Sequence, residues 1–385
     1  MNHWKETTEI FSRLAALGAR GETAALATVV SIDGSAYRRP GAKLLIEDDG
    51  DTIGGVSAGC LEADVRLAAR SVVGTATSCL RHYDTGEEDL SWGLGLGCSG
   101  AVDIYVQPAT SGPLATIAGR VVDLLAGDAT VALATVISDG PEVGATIAIE
   151  FPIETPPGAF PASVHGSLGS PDLDHRVAAC ARESHATGRS AVHRVAGRQI
   201  FVELLTPPPH LLVFGAGSDA RSLVAYASDV GFRVTLVDHR EALLDPKWFP
   251  HGARRITARP DDESVVLPSA ARSLAVVMMH SLAYDRGWIR RLLAAGVPYI
   301  GVLGPRRRTE SILRGLRHDG SDTGAVGGWT GGAANEDRVY GPVGLDLGAD
   351  GPQQVAISIV AELLAITAKR EPRHLSKRHD AIHTR

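Results

Sequence analysis

LLVFGAGSDARSLVAYASDVGFRVTLVDHR, residues 211–240, decides the fold of the C-terminal half. The apolar run Leu211–Phe214 reads as a buried strand. It runs into Gly215-Ala216-Gly217-Ser218-Asp219-Ala220, a G-x-G-x-x-A loop opening a helix. Gly215 permits a tight turn and Gly217 lets backbone approach a pyrophosphate. Ala220 allows close packing of helix on strand. The helix N-terminus offers N–H groups and a positive dipole end to phosphate. A second strand, Val234–Val237, ends at Asp238, where a carboxylate would hydrogen-bond a ribose hydroxyl. Asp238 favours a free ribose over a 2′-phosphate, although the nearby Arg240 blurs the preference. Further apolar runs, Leu274–Met279 and Tyr299–Leu303, alternate with helical segments, the pattern of a parallel sheet buried on both faces. The expected fold class is therefore α/β, with a Rossmann-like doubly wound domain in this half. His280 ends the fourth strand, close to the crevice at the carboxyl edge of the sheet, and joins the nucleotide-binding candidates.

Outward from this stretch, Thr206-Pro207-Pro208-Pro209 is a stiff linker. It suggests an N-terminal α+β domain over 1–206 and a nucleotide-binding domain with a C-terminal helix over 207–385. The N-terminal part reads as a helix from about Trp4, a strand Ala24–Ile32, a turn around Asp33–Gly41 and a strand Lys43–Ile46. The middle, about 110–205, shows helices and strands and no chemistry. His165, His175 and His193 are spread too thinly for a ligand set. No internal repeat is apparent. Arg306, Arg307 and Arg308 are expected to open a helix and to be solvated.

The chain has 385 residues with 44% hydrophobic and 21% charged, an ordinary globular composition. A net charge of −6 gives no reason to expect nucleic acid or an anionic membrane as partner. No stretch of about 18 apolar residues suggests a membrane span, and the N-terminus lacks the pattern of a secretory signal. A cytoplasmic location is the expectation. The four cysteines, Cys60, Cys79, Cys98 and Cys180, show no CxxC spacing, so neither structural zinc nor an iron–sulfur cluster is indicated.

Two of these cysteines stand in glycine loops. Gly54-Gly55-Val56-Ser57-Ala58-Gly59-Cys60 feeds a helix expected over Leu61–Val73, and Gly93-Leu94-Gly95-Leu96-Gly97-Cys98-Ser99-Gly100 feeds a strand. A helix N-terminus favours thiolate, the metal-binding form, and glycine loops can present backbone N–H groups as an anion nest. Taken alone, each cysteine is more often a small buried hydrophobe. Cys79 and Cys180 look structural.

The segments GSAYRRPGAKLLI (34–46), GGVSAGCLEADV (54–65) and YDTGEEDLSWGLGLGCSGAVDIYVQP (83–108) resemble the XdhC/CoxI family of maturation factors for xanthine dehydrogenase and related molybdenum hydroxylases. Segments 211–240, 278–293, 299–313 and 340–365 extend the resemblance through the second half. It implies a carrier that binds the molybdenum cofactor, protects it while its terminal sulfur is installed, and delivers it to the hydroxylase large subunit. It also implies a homodimer and a cysteine desulfurase as partner. Carried over, Cys60 matches the cysteine that contacts the cofactor, through molybdenum or sulfur, and Cys98 matches the second loop cysteine. Gly59 and Gly97 flank them. Arg38 and Arg39 would add charge-assisted bonds to a phosphate if their turn lies beside the first loop. Two positions depart from the pattern: Tyr37 stands where proline is common, and Ala58 where glycine is common.

The competing reading is an NAD(P)-dependent oxidoreductase associated with xanthine dehydrogenase. The sequence offers no acid/base constellation for it beyond His280 and Asp238. A nucleotide-sensing scaffold is a third reading.

Overall fold

The computed structural model describes residues 4–34, 37–84, 100–138, 140–250, 252–322 and 336–378. It divides into two compact units, Asn2–Pro207 and Pro208–Arg385.

The first unit begins with α1 (Trp4–Arg20), β1 (Ala24–Gly34), β2 (Lys43–Glu47), β3 (Thr52–Gly54), α2 (Glu62–Thr75), β4 (Cys79–Asp84) and β5 (Gly100–Pro108). The same series then recurs as α3 (Gly112–Ala126), β6 (Thr130–Val136), β7 (Thr146–Phe151), β8 (Ser163–Gly166), α4 (Pro171–Thr187), β9 (Ala191–Val195) and β10 (Arg198–Leu205). Both series form antiparallel five-stranded sheets with one strand order, β3-β2-β1-β5-β4 and β8-β7-β6-β10-β9. The registers correspond, with Thr28 opposite Lys43 and Tyr105 in one sheet, and Thr135 opposite Thr146 and Phe201 in the other.

The unit is thus a tandem repeat of one module, contrary to the expectation of no repeat. The sequence carries the trace: AALATVVSIDG (24–34) reappears as VALATVISDG (131–140), and GAKLLIE (41–47) as GATIAIE (144–150). Arg13 on α1 pairs with Glu47 through two bonds of 2.8 and 2.6 Å, and Arg120 on α3 approaches Glu150 at 3.9 Å. Helices α1 and α3 pack together in a core shared by the modules, through Phe11, Leu14, Ile117 and Val121. On its far face each sheet is covered by its own α2 or α4.

The second unit is the expected parallel sheet. Its strands are β11 (His210–Phe214), β12 (Arg233–Asp238), β13 (Arg254–Thr257), β14 (Ser273–Val277), β15 (Tyr299–Val302) and β16 (Val339–Tyr340). Their order is β13-β12-β11-β14-β15-β16. Along β11, Leu211 and Val213 enter one core while Leu212 and Phe214 enter the other. Period-two alternation with both faces apolar is what burial on both sides requires. One face is covered by α5 (Ser218–Asp229) and α8 (Pro352–Thr367). The other carries α6 (Leu282–Ala294) and α7 (Arg306–Asp322). The order reverses between β11 and β14, so the crevice opens at the carboxyl ends of these two strands. Among the described residues, no helix is long and apolar enough to cross a membrane.

Candidate functional site

The first glycine loop lies between β3 and α2. Its local order comes from Ser57 and Glu62. Ser57 N–H donates to the Glu62 carboxylate at 2.9 Å, and the Ser57 hydroxyl bonds the same carboxylate. The Ser57 oxygen also accepts from Gly59 N–H and Leu61 N–H, each at 3.1 Å. Burial pushes the Glu62 carboxyl up, but the Ser57 bonds outweigh it and hold the group below its ordinary value. The anion nest expected from the glycines is therefore partly filled by the loop's own side chains. Helix α2 begins at Glu62 with Leu61 as N-cap, so Cys60 sits just outside the helix and not in its first turn.

Cys60 is a free, half-buried thiol. It packs against the core between α2 and the sheet, while Ala58 and Gly59 beside it are exposed. The Tyr83 hydroxyl donates to Asp64 on α2 at 2.5 Å, which anchors that helix to β4. Burial and the Asp64 carboxylate push the Tyr83 phenol well up, so it stays protonated.

Arg38 stands beside this loop. A Cβ placed on Gly55 would lie 3.2 Å from the Arg38 guanidinium. Arg38 also donates to Glu6 on α1 at 3.1 Å. The turn that carries Arg38 and Arg39 is closed by Ala42 N–H to the Arg39 carbonyl at 2.9 Å and Gly41 N–H to the Val29 carbonyl at 2.8 Å. The arrangement places Arg38 against Gly55 in the loop that also carries Gly59 and Cys60, with Arg39 in the adjoining turn.

The second module supplies a control for this reading. Its loop before α4 again holds Ser-x-Gly, and Ser167 accepts from Gly169 N–H at 3.1 Å. The next residue, Ser170, caps α4 by accepting from Leu173 N–H at 3.3 Å. Cys60 follows Gly59 in the same way and caps nothing. Against the second loop stands Glu142, 3.0 Å from a Cβ placed on Gly169, paired with Arg198. Each turn thus carries an arginine–carboxylate pair, Arg38 with Glu6 and Arg198 with Glu142, and the loops differ in having Cys60 where Ser170 stands in the second.

In the second unit Gly215 has φ of +116°, and a Cβ there would lie 2.5 Å from the Met278 carbonyl oxygen. Gly217 has an ordinary φ of −64°, and a Cβ there would meet nothing within 4 Å. The two glycines therefore separate structure from ligand space. Gly215→Ala is expected to cost about 2–4 kcal/mol through strain and overlap. Gly217→Val should cost less than about 0.5 kcal/mol. Thermal melts of both variants check this. Ala220 is fully buried under the sheet, as its place in the motif requires.

Asp238 closes β12. It is fully buried, and both oxygens are engaged. Ala216 N–H donates to Oδ2 at 2.8 Å, Arg240 N–H to Oδ1 at 2.9 Å, and the Arg240 guanidinium closes a two-bond pair at 2.9 and 2.8 Å. A ribose hydroxyl reaches this carboxylate only by displacing Arg240. Burial pushes the carboxyl up, but Arg240 and the two N–H groups hold it below its ordinary 3.8. Folding therefore gains stability from the ionised form above that value and loses it as the pH falls through the lower folded value. Asp238→Asn should lower the melting temperature at neutral pH and flatten the acid limb of the stability profile.

The His239 ring packs on Tyr284 at a tilt of 30°, with ring centroids 4.4 Å apart. It borders a cleft of about 340 Å³ lined by Thr257, Ala258, Arg259, Asp261 and Asp262. His280 does not end the strand as expected: β14 stops at Val277, and His280 lies exposed in the bend beyond it with φ of +58°, a strained backbone for a non-glycine residue of the kind found at ligand sites. Arg306 and Arg307 are solvated at the start of α7. Arg308 instead pairs with the buried Asp285 at 2.5 Å.

Cys98 and Gly97 lie outside the described residues. Cys79 opens β4, and Cys180 sits in α4, where burial pushes its thiol up. Among the described residues, no group of three or more His, Cys, Asp or Glu could hold a metal ion. Sequence reasoning missed Ser57 and Glu62, although S-x-x-x-x-E ahead of an apolar helix was visible. It also missed Asp64 and Tyr83.

Comparison with known proteins bears on both halves of the chain. Residues 17–84, which hold the Cys60 loop, match the model of the XdhC and CoxI family. Residues 211–363 match the XdhC Rossmann domain. A protein of Bacillus subtilis named as a probable subunit of xanthine dehydrogenase is 32% identical over 353 residues, covering 91% of this chain and 94% of that protein. The molybdenum cofactor insertion chaperone PaoD of Escherichia coli is 32% identical over 101 residues, which is 26% of this chain and 31% of that one. The crystal structure of a xanthine dehydrogenase from Bacillus halodurans superposes with a TM-score of 0.73 at 26% identity, covering 98% of both chains. With one relative aligned along nearly its whole length and both halves matched, the chain belongs to the XdhC and CoxI family.

Proposed function

We propose that this chain is a maturation factor that binds the molybdenum cofactor at the Cys60 loop. It shelters the cofactor while the terminal sulfur is installed and delivers it to the large subunit of a xanthine dehydrogenase-type hydroxylase. The observation that carries this reading is the half-exposed Cys60 thiol, spared from helix capping, on a glycine loop with Arg38 against it. The residues fit the group. A soft thiolate suits molybdenum or sulfur, and arginine suits a phosphate. The relative named as a cofactor insertion chaperone supports the same role. When bound, the cofactor supplies the molybdenum centre that the hydroxylase uses. The chain's own residues hold its anionic end and shield the site.

A hydroxylase prepared without its cofactor tests the reading. Mixing it with the loaded chain should restore xanthine oxidation, while the loaded chain alone should oxidise nothing. Turnover of xanthine with NAD by the chain alone would favour the oxidoreductase reading. A cysteine desulfurase as sulfur donor and a homodimer belong to the same proposal. Affinity capture with a desulfurase and light scattering at twice the chain mass are their checks.

For the Rossmann crevice we infer an adenine nucleotide. Gly217 leaves open space at a helix N-terminus, where phosphate binds readily. Calorimetry with NAD, NADP, ATP and AMP should give heat with at least one, and that heat should vanish in Gly217→Val. Absence of heat with all four would contradict the inference.

A further inference from the structure

The repeat exposes an asymmetry at the heart of the first unit. Lys43 on β2 and Glu203 on β10 form an ion pair between modules, with side chains only 2% and 6% exposed. Lys43 also donates to the Gly41 carbonyl at 2.9 Å. The registers equate Lys43 with Thr146 and Glu203 with Gln107. Both counterparts are buried and neutral, with Thr146 1% and Gln107 5% exposed. One fold therefore accepts a neutral solution at this place, yet the charged solution stands on the side of the arginine turn.

A buried ion pair is expensive to desolvate, and replacing both partners is often neutral for stability. Its retention calls for another use. Gly41 supplies that use, because it closes the turn that bears Arg38 and Arg39. It has φ of +96°, and a Cβ there would stand 2.9 Å from Glu203 Oε1. Glu203 thus touches the turn directly and through Lys43. At the equivalent Gly144 the nearest groups are the neutral hydroxyls of Ser78 and Tyr105, at 3.4 and 3.6 Å.

We propose that Glu203, carried by the second module, is a positioning residue that fixes the arginine turn beside the Cys60 loop through Lys43 and Gly41. Its functional half rests on the reading that this loop holds the cofactor. The second module's loop has Ser170 in place of the cysteine and the Glu142 carboxylate against Gly169, so one cofactor per chain is proposed.

The double variant Lys43→Thr/Glu203→Gln installs the neutral residues of the equivalent pair, Thr146 and Gln107. Three readouts are taken on the full chain: melting temperature, amide hydrogen exchange over 38–42 and 55–60, and binding of molybdenum cofactor released from a purified molybdenum enzyme. Expected are an unchanged fold, faster exchange in the 38–42 turn, and affinity weakened about tenfold, at the lower end of what outer-shell partners contribute. Unchanged exchange and unchanged affinity would overturn the proposal. If the wild type binds no cofactor, the functional reading fails by itself, and the exchange data still decide the positioning. Should the double variant not fold, Glu203→Gln alone is read by the same exchange experiment.

Discussion

Cys60→Ser is expected to remove most cofactor retention while leaving the fold intact. The thiol caps no helix, and the N-cap residue Leu61 has no side-chain cap bond to lose. Its carbon packs at the edge of a core that Val65, Ala68 and Val72 already fill from α2. Serine is close in size, so the melting temperature should move by no more than that of an ordinary surface change, within about 0.5 kcal/mol. Ser170, in the second module, shows that serine after Ser-x-Gly is compatible with this kind of loop. Binding should fall at least about tenfold, or about 1.4 kcal/mol. Pterin bound per chain in the wild type and variant measures it. Cys180→Ser serves as the comparison and should retain the cofactor. Equal retention by wild type and Cys60→Ser would remove this cysteine from the site.

Glu203→Ala is the substitution expected to cost most stability. It leaves the Lys43 ammonium buried without its partner, between the Phe11 ring 5.9 Å away and the Gly41 carbonyl. Removing one member of a buried pair costs about 3–5 kcal/mol, because the remaining charge is stranded. Lys43→Thr added to it should recover much of that loss. Denaturant melts of the two single variants and the double variant give the coupling energy directly. Additive losses would show that the two side chains do not interact as an ion pair.

The fold was legible where the pattern was long. Leu211–Phe214, Val234–Val237 and the runs after them alternate between two apolar faces, and the GAGSDA loop fixes their order. The strands that escaped notice are short. Among them β3 has three residues, β8 and β13 four each, and β16 two. Periodicity needs more residues than these to register, and β13 begins with two arginines. The repeat was present in the letters but broken by turns of unequal length, and its second copy carries different side chains at the turn and loop.

The site was half legible. Cys60 stood out through its glycines, and the arginines through their resemblance to the family. That Arg38 lies against Gly55 depends on how β2 pairs with β3, which no local signal specifies. Glu203 was invisible because its partner Lys43 is 160 positions away. Asp238 does stand at a strand end, as its place after Val234–Val237 implies, but Arg240, two residues on, closes over its carboxylate.

The most direct test is to purify the chain from a cell that makes molybdenum cofactor and to assay molybdenum and pterin on it. The account predicts both, together, at up to one equivalent per chain, with pterin largely lost in Cys60→Ser. A wild-type chain that carries neither, and gains neither when incubated with released cofactor, would contradict it.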